Sequence, residues 1–163
     1  MTGSAVAAVR PANGPEETEI VRQLFAEYAT ELGVDLGFQG FAEELATLPG
    51  AYAPPGGVLL LAWAADAPAG CAGVRPLGPD TCELKRLFVR PAYRGRGLAR
   101  RLSAAALAEA RSRGYRRIRL DTLPSMVEAQ SLYRDLGFHE IAPYRPNPVS
   151  GAVFMELALT QPP

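Results

Sequence analysis

The sequence predicts a mixed α/β fold, one sheet of parallel and antiparallel strands with helices on both faces. A β-favouring run at residues 84–89 passes through an Arg94-Gly95-Arg96-Gly97 turn into a helical-period run at 98–113. Upstream, short turns string the runs between residues 58 and 89 into an antiparallel meander. Helical-period segments stand on either side of that meander, and elements so arranged pack as layers around one sheet.

Taken in order, residues 5–10 read as a strand ended by Pro11. In residues 16–32 the apolar set Ile20, Val21, Leu24, Phe25 and Tyr28 keeps helical spacing, and Gly33 closes the helix. A second helix is expected at 41–48, ended by Pro49-Gly50, and residues 34–40 read as a loop rich in apolar side chains. Pro54-Pro55-Gly56-Gly57 turns into a strand at 58–65, Asp66-Ala67-Pro68 into one at 69–77, and Gly78-Pro79-Asp80 into the strand carrying Glu83. Leu98, Leu102, Ala105 and Ala106 mark the next helix, stopped by Gly114. In the strand at 116–122, Ile118 and Leu120 alternate with arginines. A helix at 127–136 ends at Gly137, and strands at 138–144 and 152–159 are joined through Pro146-Asn147-Pro148. The order is β-α-α-β-β-β-α-β-α-β-β.

A length of 163 residues suits one domain over 1–163. A formal net charge of zero removes any bulk electrostatic case for nucleic acid or an acidic membrane as partner. No apolar run reaches membrane-spanning length and the N-terminus lacks a signal pattern, so a cytoplasmic enzyme is expected. Basic charge is arginine apart from Lys85, the only lysine. Cys71 and Cys82 fall on neighbouring strands; a cross-strand disulfide is conceivable, and two buried thiols in a reducing compartment are favoured. His139 is the only histidine, leaving no material for a metal site or a Cys–His pair.

The glycine turn is an anion cradle. Glycines let backbone N–H groups approach a ligand, and the helix they open presents unpaired donors and the positive end of its dipole. No Gly-Lys-Ser/Thr follows at P-loop spacing, and Arg100 stands where a dinucleotide fingerprint needs its third glycine. The pattern that fits is Arg/Gln-x-x-Gly-x-Gly/Ala, met by Arg94, Gly97 and Ala99. Further on, Ala129, Leu132, Tyr133 and Leu136 share one helical face, which by itself makes Tyr133 a core aromatic.

With the preceding Leu-Phe-Val-Arg-Pro, the turn resembles the pyrophosphate loop of the GCN5-related N-acetyltransferase (GNAT) superfamily, which binds acetyl-coenzyme A. The segment from Ala129 to Phe138 is similar to that family's Ala-x-x-Leu-Tyr-x-x-x-Gly-Phe, and the order of elements is the family's order. The resemblance implies a GNAT-like fold and places the coenzyme against Leu87, Phe88, Val89, Arg94, Gly95, Arg96, Gly97, Leu98, Ala99 and Arg100. Tyr133 would lie beside the coenzyme sulfur and neutralise the leaving thiolate. Met126 stands where the family often has Asn, which removes one polar contact to the coenzyme.

The implied activity is direct transfer of an acetyl group from acetyl-CoA to an amine, with CoA as product. An alkylamine acceptor must first lose a proton. Glu83, at a position where several family members hold a catalytic glutamate, is the candidate base; the competing reading pairs it with Lys85 or Arg86. A backbone N–H between residues 87 and 89 would polarise the thioester. Tyr28, Phe38, Tyr52, Tyr144 and Asn147 are candidate walls for a small acceptor, and Arg75 and Arg86 a candidate fork for an acceptor carboxylate. Against this, the aromatics fill the core and both arginines pair with local acids. Two other functions compete, a noncatalytic acyl-CoA sensor and a protein lysine or N-terminal acetyltransferase. A homodimer is left open.

Overall fold

The computed structural model describes residues 7–33 and 35–159, with the backbone alone at Phe38 and Gln39. Residues 5 and 6 of the expected first strand, and the Phe38 side chain expected at the acceptor site, lie outside the described residues. The strands are β1 (Ala7–Pro11), β2 (Val58–Ala64), β3 (Ala67–Pro76), β4 (Thr81–Val89), β5 (Arg117–Thr122), β6 (His139–Ile141) and β7 (Val153–Ala158). The α-helices are α1 (Gly14–Leu32), α2 (Phe41–Thr47), α3 (Leu98–Ser112) and α4 (Val127–Asp135). One seven-stranded sheet runs in the order β1-β2-β3-β4-β5-β7-β6. Its pairs are antiparallel except β4 with β5.

Three details depart from the sequence reading. Residues Leu36–Gln39 form a 3-10 turn, with the Asp35 carboxylate accepting from the Gly37 N–H at 2.8 Å. Ala67 already belongs to β3, so the turn is shorter than expected. Strand β6 ends at Ile141, because Pro143, Pro146 and Pro148 remove the donors that a longer ladder would use.

Helices cover both faces, which is why β2 and β4 are buried almost without alternation. On one face Val21, Leu24 and Phe25 of α1 pack with Leu59, Leu61, Cys71 and Phe88. On the other, Leu98, Leu102, Ala106 and Ala110 of α3 pack with Leu60, Ala62, Cys82 and Ile118, and Tyr133 of α4 joins them. Cys71 and Cys82 therefore lie in opposite layers as free, buried thiols. Tyr52, expected at the acceptor site, is a core residue instead. Its ring meets Phe25 edge-on at 5.8 Å, and a Cβ on Gly73 would stand 2.6 Å from its Cε1. Among the described residues no helix is long and apolar enough to cross a membrane.

The functional feature of the sheet is a gap. The β4–β5 pairing runs from Thr81↔Arg117 only to Glu83↔Arg119, so from Leu84 onward one edge of β4 has no strand beside it. Within this unpaired stretch β4 carries a bulge. Cys71 pairs with Phe88 and Gly73 with Lys85, so Arg86 and Leu87 together face Ala72. Arg86 takes up the extra residue at φ 61, a left-handed conformation that a non-glycine residue holds only when its surroundings enforce it.

Candidate active site

The gap leads into a groove lined by residues 87–89 of β4, the glycine turn and the start of α4. Its two lobes measure about 470 and 240 Å³ and share Leu87, Phe88, Val89, Arg94, Glu128 and Ala129. Gly95 and Gly97 sit at φ +80 and +76, and a Cβ on either would meet nothing within 4 Å. Packing does not require glycine at these positions; the backbone conformation does, and the open side faces solvent. Helix α3 starts at Gly97 without a side-chain cap, which leaves its first-turn N–H groups for a ligand.

The arginines of the turn are engaged within the chain. Arg94 donates to the Val89 carbonyl at 2.9 Å and to both Glu31 carboxylate oxygens at 2.7 Å, linking α1 to the turn beside the groove. Arg96 lies over the Tyr93 ring at 5.5 Å, and Arg100 donates to Asp135 at 3.1 Å. Of the expected coenzyme contacts, Leu87, Phe88, Val89, Arg94, Gly95, Gly97, Leu98 and Ala99 line the groove. Arg96 and Arg100 turn to these neighbours instead. Met126 lines the other lobe, and its sulfur accepts from the Thr122 hydroxyl at 3.6 Å.

At its inner end the groove narrows to a cavity of about 30 Å³ between Tyr28, Leu84, Lys85, Asp121, Tyr133 and Asn147. A cavity needs ~10–15 Å³ to admit a water, so this one has room for a small group. Lys85 Nζ stands 3.6 Å from Asp121 Oδ1 across the gap. Asn147 donates to the other oxygen, Oδ2, at 3.4 Å. Burial pushes the Lys85 ammonium down to about 8; Glu83 and Asp121 oppose that shift, while Arg86 and Arg75 add to it. Tyr133 is buried, with its pKa raised by desolvation, so its hydroxyl keeps its proton through the neutral range.

Glu83 is placed differently from the base that the resemblance implied. It is fully buried, accepts from Arg75 Nε at 3.0 Å and from the Tyr144 hydroxyl at 2.7 Å, and is bonded by Arg145. Burial alone would raise its pKa, but the charges of Lys85, Arg145 and Arg75 outweigh burial and hold it near 2. A carboxylate ionised down to that pH is a poor proton acceptor for an ammonium near neutrality. Glu83 is an ion-pair hub.

The expected carboxylate fork is likewise taken up inside the protein. Arg86 donates to both oxygens of Glu44 at 3.1 and 2.9 Å and stacks over Phe41 at 4.9 Å. Arg75 lies between Glu83 and, at 3.8 Å, Glu44. A chain of alternating charge thus runs Arg86–Glu44–Arg75–Glu83–Arg145 across four elements, and the clamp on Arg86 holds the β4 bulge. Tyr144 belongs to it through Glu83, with its ring edge-on to Phe154 at 5.1 Å. Of the expected acceptor walls, Tyr28, Arg86 and Asn147 line the cavity. The sequence reading missed Glu44, Asp121 and Arg145. The one available signal was the unique lysine, since an acid must stand near any lysine buried on a strand.

A family model of the Acetyltransferase (GNAT) family matches residues 19–138, which include most of α1, the gap, the glycine turn and α4. The chain belongs to this family. As a GNAT protein it is an N-acetyltransferase, and the family uses acetyl-CoA. An uncharacterized N-acetyltransferase of Schizosaccharomyces pombe is 38% identical over 149 residues, covering 90% of this chain and 91% of its own. An uncharacterized N-acetyltransferase of Escherichia coli is 34% identical over 132 residues, 79% of this chain and 78% of its own. The yncA protein of Salmonella typhimurium, solved with its cofactor acetyl-CoA, superposes with a TM-score of 0.73 at 20% identity, over 97% of this chain and 96% of that one. This GNAT chain shares that protein's fold.

Proposed function

We propose that this protein transfers an acetyl group directly from acetyl-CoA to the amine of a small molecule. The observation that carries the proposal is the continuity of groove and cavity: the open edge of β4 runs from the glycine turn to the small cavity beside Lys85 and Tyr133. Pyrophosphate would sit against the first turn of α3, held by backbone N–H groups and the helix dipole. The pantetheine arm would then lie along residues 87–89 as an added strand, using the ladder groups that β5 leaves open. Backbone donors on that edge polarise the thioester carbonyl, and Tyr133 protonates the departing thiolate. The narrowness of the inner cavity favours a small acceptor over a protein chain, which needs an open groove. Two free, buried thiols suit a cytoplasmic setting.

Incubation with acetyl-CoA and a panel of small amines, read by release of free CoA thiol, tests the proposal. Amine-dependent thiol release supports it. Tight acetyl-CoA binding without release for any amine would make the protein a coenzyme sensor, and release with peptides alone would move it to protein acetylation.

A further inference from the structure

Lys85 is the only lysine among seventeen basic residues, and it is 4% exposed on the wall of the inner cavity. Every other basic position is arginine, including those that anchor the ion-pair chain beside it. The two cations differ in one chemical respect that matters here. An arginine stays protonated in a protein, whereas a buried lysine gives up and regains its proton near neutral pH. A lysine on the cavity wall, with a carboxylate across the gap to orient it, therefore does something that the arginines cannot.

We infer that Lys85 accepts the proton of the incoming amine, with Asp121 as its positioning residue, an assignment that rests on the acetyltransferase reading above. The neutral Nζ of Lys85 takes one proton from the acceptor ammonium. The freed amine nitrogen forms a bond to the thioester carbonyl carbon, and the C–S bond breaks. The thiolate leaves with the Tyr133 proton, and the second proton of the new amide nitrogen restores that hydroxyl. Lys85 then releases its proton to solvent, so one proton appears per turnover.

The charged groups around Nζ set its working range. Asp121 faces it from β5, Glu83 and Arg86 from β4, and Arg75 from β3; Tyr28 of α1 and Tyr133 of α4 complete the wall. Asp121 and Glu83 favour the ammonium, while burial and the two arginines favour the neutral amine. With a value of about 8, roughly a tenth of the lysine is neutral at pH 7, enough to serve as a base without a carboxylate of raised pKa.

A unique lysine gives a single resonance when the full chain is labelled at lysine Cε, so its titration is read directly by NMR. The expected midpoint lies near 8, and Asp121→Asn should move it lower by removing an attracting anion. Lys85→Arg keeps the charge and the contact with Asp121 but cannot release a proton. It should retain acetyl-CoA affinity by calorimetry, lose at least about a hundredfold in thiol release with the amine panel, and lose the alkaline rise in kcat/KM. A lysine midpoint at or above 10, or a Lys85→Arg protein with undiminished turnover, would overturn the assignment. Failure of the wild-type chain to bind acetyl-CoA would overturn the acetyltransferase reading itself, and normal affinity with an unshifted lysine would overturn the role of Lys85 alone.

Discussion

The two ends of the groove are built from different materials. At the end proposed for the coenzyme the exposed parts are backbone: the unpaired edge of β4, two glycines at positive φ and the first turn of α3. At the inner end they are side chains, drawn from β3, β4, α2 and the β6–β7 loop into a buried chain of alternating charge, with the Lys85–Asp121 pair of β4 and β5 beside it. The difference follows from the ligands. A pyrophosphate is met by a fixed pattern of N–H donors, which one local motif supplies. Polar groups buried around a cavity must each be charge-balanced, and their partners come from elements spread across the fold.

Substitutions that separate the two ends sharpen this contrast. The largest expected effect is on stability. Glu83→Gln removes the anion of Arg145 and leaves Arg75 with Glu44 alone, and should cost about 3 kcal/mol in urea unfolding, with acetyl-CoA affinity unchanged. The pH dependence has a defined sign. Because the folded-state pKa lies below the ordinary value of 4.5, the carboxylate's stabilisation is complete above that value and is lost as pH falls toward about 2. The Gln variant should lack this acid-labile portion. Full stability with collapsed turnover in that variant would make Glu83 the base after all.

Next comes the turn. Gly97→Val forces a β-branched residue into a left-handed conformation at a strain of about 1–3 kcal/mol, so acetyl-CoA affinity should fall about tenfold to a hundredfold in calorimetry. Gly97→Asn, which tolerates that conformation, should lose much less. Equal losses would mean that side-chain bulk rather than backbone geometry governs the site.

Arg86→Ala comes third. Its guanidinium is occupied by Glu44, so the variant should raise the Michaelis constant for a carboxylate acceptor and for its amide by the same factor. A selective loss with the acid would restore the fork expected from sequence. Smallest is Arg94→Ala. An exposed pair with Glu31 is already present and screened, so coenzyme affinity should change by less than about 1 kcal/mol, within about fivefold.

The same contrast explains what the sequence disclosed. Helical spacing in α1, α3 and α4 and the punctuation by glycine and proline are local signals, and the elements fall within a few residues of their expected bounds. The glycine turn is equally local. The extra residue at Arg86 is invisible in sequence because a bulge is defined by register against β3, which no run of β-favouring residues encodes. Glu44 and Asp121 are separated from their cations Arg86 and Lys85 by tens of residues, so only the folded chain pairs them. Arg86 reads as a fork for a carboxylate or as the partner of a local acid, and the acid that binds it stands on a helix far back in the chain.

The central claim is that the coenzyme occupies the gap between β4 and β5 with its pyrophosphate on the first turn of α3. Backbone amide shifts followed by NMR while acetyl-CoA is added test it most directly. The account predicts the largest changes at Leu87, Gly95, Gly97, Leu98 and Ala99, with smaller ones at Ala129 and Leu132 across the groove. A cleft of about 650 Å³ near the start of α1, between Asn13 and Arg113, is larger than either lobe of the groove alone. Shifts concentrated there, with the glycine turn unmoved, would contradict the account.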